Sequence, residues 1–363
     1  MPAYSYMITN RRYPTAIIDP QSPLDGNTLW WYVATAQAND PNYEDYQSLT
    51  ADAQASAPPK FVQAVVTELQ NQGSATPSLT LFIHGLNTTW SYAVRDTATL
   101  GANLASMAGY DGLVIGFSWP SMGELDLIEY ADSFPQPAQS GTARGNVMCS
   151  LASFGSLIAF TQQLAAQVPG LQLNVVCHSE GNYLLMNGLA ANSGAGITET
   201  IMLAADINNG ALQTPASGLT GSAAAIAAQS SRVTVYYSSN DNTLALSEGA
   251  FSTELSFPLS MDTGAYHNPA FFGRLGLAGP SYDQGPQASN MASVDCSAVV
   301  NQVYVGQLSP SVYPAGTVLH SAYLYIPQVI QDIAATLTGT APGAVANRTP
   351  LLNNGQYFMS AET

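Results

Sequence analysis

Leu173-Asn174-Val175-Val176-Cys177-His178-Ser179-Glu180-Gly181-Asn182-Tyr183 joins one apolar run to another across a short polar turn. Residues 173–176 read as a buried strand and residues 183–191 as a helix. A side chain on so tight a strand-to-helix bend sits on strained backbone, so the residues two positions either way must be small. Gly181 satisfies this requirement and Cys177 nearly does. The bend lifts the Ser179 hydroxyl above the sheet edge and places it at a helix N-terminus, where the dipole favours developing negative charge. Serine is also a common helix cap. What separates the two readings is whether the chain supplies partners.

Working outward, residues 79–83 form a second apolar run, ending at His84-Gly85, and residues 113–117 a third, ending in Ser118-Trp119-Pro120-Ser121. Downstream, 201–205 ends at Asp206 and 233–237 stops before Asn240-Asp241. Helices fit between them. Residues 60–70 follow Pro58-Pro59 with Phe61, Val65 and Leu69 at helical spacing, and 156–168 carries Leu157, Phe160, Leu164 and Val168 on one face. Shorter helices fit 223–229 and 326–333. This alternation predicts an α/β fold, a mostly parallel central sheet covered by helices on both faces.

Residues 1–75, with a strand at 29–35, read as an N-terminal extension with strand and helix packing on the main domain. Residues 76–340 form the catalytic domain and 341–363 a weakly ordered tail. Residues 122–146 mix Glu124, Asp126, Glu129 and Asp132 with Pro135, Pro137 and Gly141, breaking the alternation as an inserted cap would.

Composition narrows the partners. Eight Lys and Arg face 24 Asp and Glu, a formal net charge of −16, which repels nucleic acid and anionic membrane surfaces. No stretch of 18 apolar residues is present to span a membrane. No apolar run of signal type follows Met1, so the expected compartment is the cytoplasm. Cys149, Cys177 and Cys296 make neither a disulfide framework nor a paired metal motif. No metal and no cofactor is expected. The oligomeric state is not written in the sequence.

A serine hydroxyl is a weak nucleophile and needs a base, held in turn by an acid. After a strand-to-helix nucleophile the acid comes next in the chain and the histidine last. Of four histidines only His267 and His320 follow Ser179. His320 is favoured because it lies in a loop leading into the last helix, whereas His267 lies in an irregular stretch. Asp241, after the second strand past the bend, is the favoured acid, with Asp206 in reserve and Asp295 a remoter choice. Each of these could also be an Asx turn at a strand end. Backbone N–H groups must face the developing oxyanion; Glu180 supplies one, and Leu86, with Asn87 next, the other. Trp119 and Met122 are the candidates for lining the substrate site.

The motifs Leu81-Phe82-Ile83-His84-Gly85-Leu86-Asn87, Gly116-Phe117-Ser118-Trp119-Pro120-Ser121, Val176-Cys177-His178-Ser179-Glu180-Gly181-Asn182, Tyr237-Ser238-Ser239-Asn240-Asp241 and His320-Ser321 together resemble the α/β-hydrolase superfamily. With Arg274-Leu275-Gly276-Leu277-Ala278-Gly279-Pro280, they are similar to a bacterial branch of esterase- and lipase-like proteins. The resemblance spans about residues 78–335. It implies an α/β-hydrolase fold and a serine hydrolase acting on small-molecule carboxylic esters through an acyl-enzyme. Ser179, Asp241 and His320 take the triad roles by this likeness, and Leu86 and Glu180 the oxyanion roles. Two departures stand out: Cys177 replaces the usual Gly, and Glu180 stands where Met or Gln is frequent. The same triad would serve a thioesterase or amidase, and the fold also suits a non-catalytic binding or scaffold protein.

Overall fold

Ser78–Ile83 (β4) and Leu113–Ser118 (β5) are buried along their whole length, and Gln172–His178 (β6) beyond its first residue. Strands buried on both faces belong in a parallel sheet under two helical layers. This is the arrangement in the computed structural model, which describes residues 5–11, 29–34, 46–48, 55–73, 76–86, 88–121, 143–213, 223–253, 273–282, 286–303, 319–351 and 355–361. The remaining strands are Ser5–Thr9 (β1), Trp30–Ala34 (β2), Tyr46–Ser48 (β3), Ile197–Leu203 (β7), Ser230–Tyr237 (β8), Met291–Asp295 (β9), Arg348–Pro350 (β10) and Gln356–Met359 (β11). Among the described residues they form one sheet in the order β10-β11-β9-β8-β7-β6-β4-β5-β1-β2-β3. Every pairing from β1 across to β11 is parallel, and only the outer pairings β1–β2, β2–β3 and β10–β11 are antiparallel. The C-terminal ends of β4 to β8 therefore open on one side, where α/β sheets bind ligands.

The helices are Pro59–Gln70 (α1), Trp90–Ala108 (α2), Ala143–Gln167 (α3), Gly181–Ala191 (α4), Ala224–Gln229 (α5), Asn242–Thr253 (α6), Leu275–Ala278 (α7) and Pro327–Leu337 (α8). α1 starts on a proline at its first position, which needs no N–H partner there, and buries Phe61, Val62, Val65, Val66 and Leu69. Thr89 caps α2 by accepting from the Tyr92 N–H at 3.2 Å. On one face of the sheet, Trp31 of β2 meets Phe61 of α1 and Phe160 of α3 edge-on, with centroids 5.3 and 5.2 Å apart. Such aromatic pairs add about 0.5–1.5 kcal/mol each beyond their buried area. The other face packs α2 against α8, with Leu100, Leu104, Ile330 and Ile333 buried between them.

Several expectations need correction. The helix expected at 156–168 begins at Ala143, so residues 143–146, assigned to the cap, belong to α3. The rest of the cap, 122–142, lies outside the described residues. The tail is not structureless: β10 and β11 extend the sheet. They went unread because each is too short to show periodicity. Arg348 of β10 is fully buried and donates to Asp332 of α8 at 2.6 Å, to Tyr236 Oη at 3.1 Å and to Thr336 Oγ1 at 2.8 Å. No helix among the described residues is long and apolar enough to cross a membrane.

Removing one partner of a buried ion pair strands the other charge, at a cost of about 3–5 kcal/mol. Arg348→Met is expected to lower the unfolding free energy by that amount in urea titrations. A change below about 1 kcal/mol would mean that the tail is not clamped to the core, since surface substitutions stay within roughly half that size.

Candidate active site

Backbone geometry marks the turn after β6. Ser179 has φ +54°, one of two positive values at non-glycine residues among those described. Such backbone costs about 1–3 kcal/mol and persists only where the surroundings hold it. The Ser179 N–H donates to Leu203 O at 2.9 Å, while Ser179 O accepts from Asp206 N at 3.3 Å, Asn182 N at 3.1 Å and Asn182 Nδ2 at 2.9 Å. α4 starts two residues later at Gly181. Room is just sufficient. A Cβ on Gly181 would lie 2.6 Å from His84 O and 2.7 Å from Ile83 O, and one on Gly85 2.6 Å from Ser179 Cβ. The loop after β4 thus lies directly against the turn after β6.

His320 arrives from a 3-10 turn, Leu319–Leu324, just ahead of α8. Its Nδ1–H donates to Asp241 Oδ2 at 2.7 Å. Asp241 follows β8 and is wholly buried, and its other oxygen accepts the Leu244 N–H at 3.0 Å. One carboxylate oxygen therefore caps α6 while the other holds the imidazole in a fixed tautomer, leaving Nε2 as the acceptor. Burial opposes protonation of His320, but the charge and hydrogen bond of Asp241, with a smaller contribution from Asp206, outweigh it. The imidazole pKa is raised above its ordinary 6.5.

His178, beside Ser179, links the two halves. Its Nε2–H donates to the His320 carbonyl at 2.8 Å, and the two rings lie 4.7 Å apart between centroids. Burial and the neighbouring His320 push its pKa down to about 3. Ser179 is 5% exposed, and its Oγ makes no hydrogen bond with the described residues. The hydroxyl–imidazole bond expected from the sequence is thus not formed here; such bonds often tighten only when substrate binds.

The other residues singled out from sequence fall as follows. Asp206 pairs with Arg274 at 3.3 Å and accepts from Ser247 Oγ at 2.8 Å, so its carboxylate is engaged away from His320 Nδ1. Asp295 accepts from the hydroxyl and the N–H of Ser297 in a local turn. Glu180 is fully buried at the head of α4, and Leu86 follows Gly85 with its side chain partly exposed. Trp119 does not line an open site: it is fully buried, stacks on His84 and donates its indole N–H to His84 O at 2.8 Å. Met122, Asn87 and His267 lie outside the described residues. Sequence reasoning missed His178 and Arg274, although both stood inside quoted motifs. An apolar cavity lined by Leu81, Phe154, Leu157, Leu173 and Leu185 includes none of these groups.

A parallel sheet with a strained serine at a strand-to-helix turn, and a buried aspartate after a later strand that holds a buried histidine, defines an α/β-hydrolase-type protein. Residues 62–253, more than half of the chain, match the family described as "Alpha/beta hydrolase of unknown function (DUF900)", and the chain belongs to that family. The matched span contains Gly85, Ser179 and Asp241 and ends before His320. No curated protein matches. Among solved structures, Aspergillus fumigatus lipase B is 14% identical with a TM-score of 0.37, covering 85% of this chain and 63% of its own. The chain thus spans less than two thirds of that lipase. LpqC, a poly(3-hydroxybutyrate) depolymerase from Bordetella parapertussis, is 12% identical with a TM-score of 0.35, covering 74% of this chain and 86% of its own. A cutinase-like protein from Cryptococcus sp. is 12% identical with a TM-score of 0.31, covering 73% and 95%. Likenesses this distant carry no argument about activity.

The buried imidazoles predict a divided titration. His84 and His178 are held below the ordinary 6.5, so from there downward the unfolded chain binds more protons and stability falls with falling pH. His320 works oppositely: its raised pKa adds stability below the unfolded value, and this is lost as pH rises through the folded pKa. In NMR titrations one imidazole should titrate above 6.5, and Asp241→Asn should move it down, while His84 and His178 stay neutral through mildly acidic pH. Either of those two titrating near 6.5 would contradict the burial described.

Proposed function

We propose that the protein is a serine hydrolase that cleaves carboxylic esters through an acyl-enzyme. The observation that carries this reading is the +54° φ of Ser179 on the turn between β6 and α4, because a mere helix cap gains nothing from such strain. The Nδ1–H donated by His320 to Asp241 supplies what an acid–base partner needs, a tautomer with a free Nε2. In the reaction Ser179 Oγ attacks the ester carbonyl and its proton passes to His320 Nε2. The imidazolium is steadied by Asp241, and the oxyanion accepts from the backbone N–H groups of Leu86 and Glu180. Collapse expels the alcohol, which takes the proton from His320. Water, deprotonated by His320, then attacks the acyl-serine, and release of the acid restores Ser179. The chain's own groups balance every proton.

A fluorophosphonate probe should label the wild type and fail on Ser179→Ala. A chromogenic ester panel from acetyl to palmitoyl should show hydrolysis that the same substitution abolishes. No labelling of folded wild-type protein would leave a non-catalytic binding protein, and turnover of thioesters or anilides alone would move the reaction to those classes.

The base must be neutral to accept a proton. kcat/KM is therefore expected to rise with pH through an apparent pKa above 6.5. Asp241→Asn should lower kcat on the order of 10⁴-fold by permitting the wrong tautomer, and shift that limb downward. An unshifted limb in this variant would remove Asp241 from the role of acid.

A further inference from the structure

We propose that His84 is a positioning residue that sets the plane of the Gly85–Leu86 peptide, and that Arg11 and Ser118 hold its ring for that task. The inference rests on reading Ser179 as the nucleophile and the Leu86 N–H as an oxyanion donor.

The ring's hydrogen bonds fix where its proton lies. His84 Nε2 accepts the backbone N–H of Trp119 at 3.2 Å, so that nitrogen carries no proton in a neutral ring. The proton is then on Nδ1, which faces Gly85 O at 2.8 Å and donates to it. Burial, together with the adjacent Arg11 charge, keeps the ring neutral, with its pKa well below 6.5. Gly85 O and Leu86 N–H belong to one peptide, and in a trans peptide the two point in opposite directions. Drawing the carbonyl toward the His84 ring therefore aims the Leu86 N–H away from it. Because Gly85 lies against Ser179, too close for a Cβ, this N–H starts out beside the nucleophile. A hydrogen bond accepted at the carbonyl also polarises the N–H of the same peptide.

The ring is itself clamped from two sides. Trp119 lies parallel to it, at an interplanar angle of 7°. Arg11, fully buried just beyond β1, donates its Nε–H to Ser118 Oγ at 2.9 Å, and Ser118 Oγ lies 3.2 Å from His84 Nε2. A terminal Arg11 nitrogen donates to Thr88 O at 2.7 Å and lies 3.5 Å from His84 Nε2. The guanidinium thus touches the loop on both sides of Leu86. Thr88 is further tied to Ser121, whose hydroxyl accepts from Thr88 N at 3.0 Å and lies 2.9 Å from Thr88 O. Arg11, just past a strand outside the family match, therefore braces the loop.

The test uses the full chain, a fluorophosphonate for the rate of Ser179 labelling, and p-nitrophenyl butyrate for kcat and KM. His84→Leu removes both ring nitrogens, whereas His84→Asn places an N–H near the Nδ1 position. Losing one oxyanion donor costs roughly 10²–10³-fold in kcat. His84→Leu should approach that loss with KM within about twofold, because the donor acts on the transition state rather than on bound substrate. The labelling rate should fall in parallel, and His84→Asn should recover most of both. A purely structural histidine would instead lower the melting temperature and leave kcat and labelling of the folded fraction unchanged, which overturns the proposal. So would a loss confined to KM. Where His84→Leu does not fold, Ser118→Ala decides: with an unchanged melting temperature, kcat and labelling rate must fall together, and wild-type values for both overturn the proposal. Labelling or turnover that survives in Ser179→Ala strikes the nucleophile assignment itself, a failure distinct from any pattern among the His84 and Ser118 variants.

Discussion

At the end of β4 backbone meets backbone: Ile83 O and His84 O face the Cα of Gly181, and the Cα of Gly85 faces Ser179, with no room for a Cβ at either glycine. Everything else about the site depends on that contact. It forces the chain through Ser179 into a positive φ, since a wider turn would lift the residue off the loop beside it. The strain is held by the bonds on both sides of the serine, from its N–H to Leu203 O and from Asn182 and Asp206 to its carbonyl. A serine caught in this way is pre-positioned before any substrate arrives, which is the condition under which hydrogen-bond donors stabilise developing charge without reorganising.

The three described histidines show how environment sorts one residue type into different tasks. All are buried, and burial alone disfavours the cation. His84 and His178 bond backbone carbonyls, and burial together with Arg11 beside one and His320 beside the other outweighs what favours the cation, so they remain neutral and serve as hydrogen-bonding joints. His320 faces a carboxylate and is tuned toward the cation. The distinction lies in the partner at Nδ1, a carbonyl for His84 and a carboxylate for His320. His178, through the His320 carbonyl, couples the turn after β6 to the turn ahead of α8.

Much of this was legible in sequence because the relevant signals are local. The strand–turn–helix around Ser179, the His84-Gly85 pair at a strand end and Asp241 after the second following strand each lie within a window of a few residues. The pairing of Asp241 with His320, 79 residues apart, could be read only as chain order, and the structure supplies the bond. What escaped was non-local or short. Strands β9, β10 and β11 have five residues or fewer, too few for a period to emerge beside competing turns. Trp119, in the turn after β5, is a candidate substrate contact by its place in the sequence alone. Its ring is instead consumed by His84, a neighbour 35 residues away that no pattern in the sequence links to it. Asp206, the reserve acid at the end of the preceding strand, is engaged by Arg274 and Ser247, while His320 Nδ1 bonds Asp241.

The N-terminal strand illustrates the same limit from the other side. Residues 5–11 carry little that is diagnostic, yet β1 pairs in parallel with β5 so that Thr9 stands opposite Ser118. That register carries Arg11 past the strand end to the level of Ser118, His84 and Thr88. A guanidinium is costly to bury unless its donors are met by acceptors. Here they are met by a hydroxyl and a carbonyl that flank the loop beside Ser179. In a chain with only eight Lys and Arg, placing one wholly inside the fold at this point makes sense where the loop must not move. The extension is thus part of the architecture of the site, because two acceptors of the buried charge it contributes, Ser118 Oγ and Thr88 O, flank that loop.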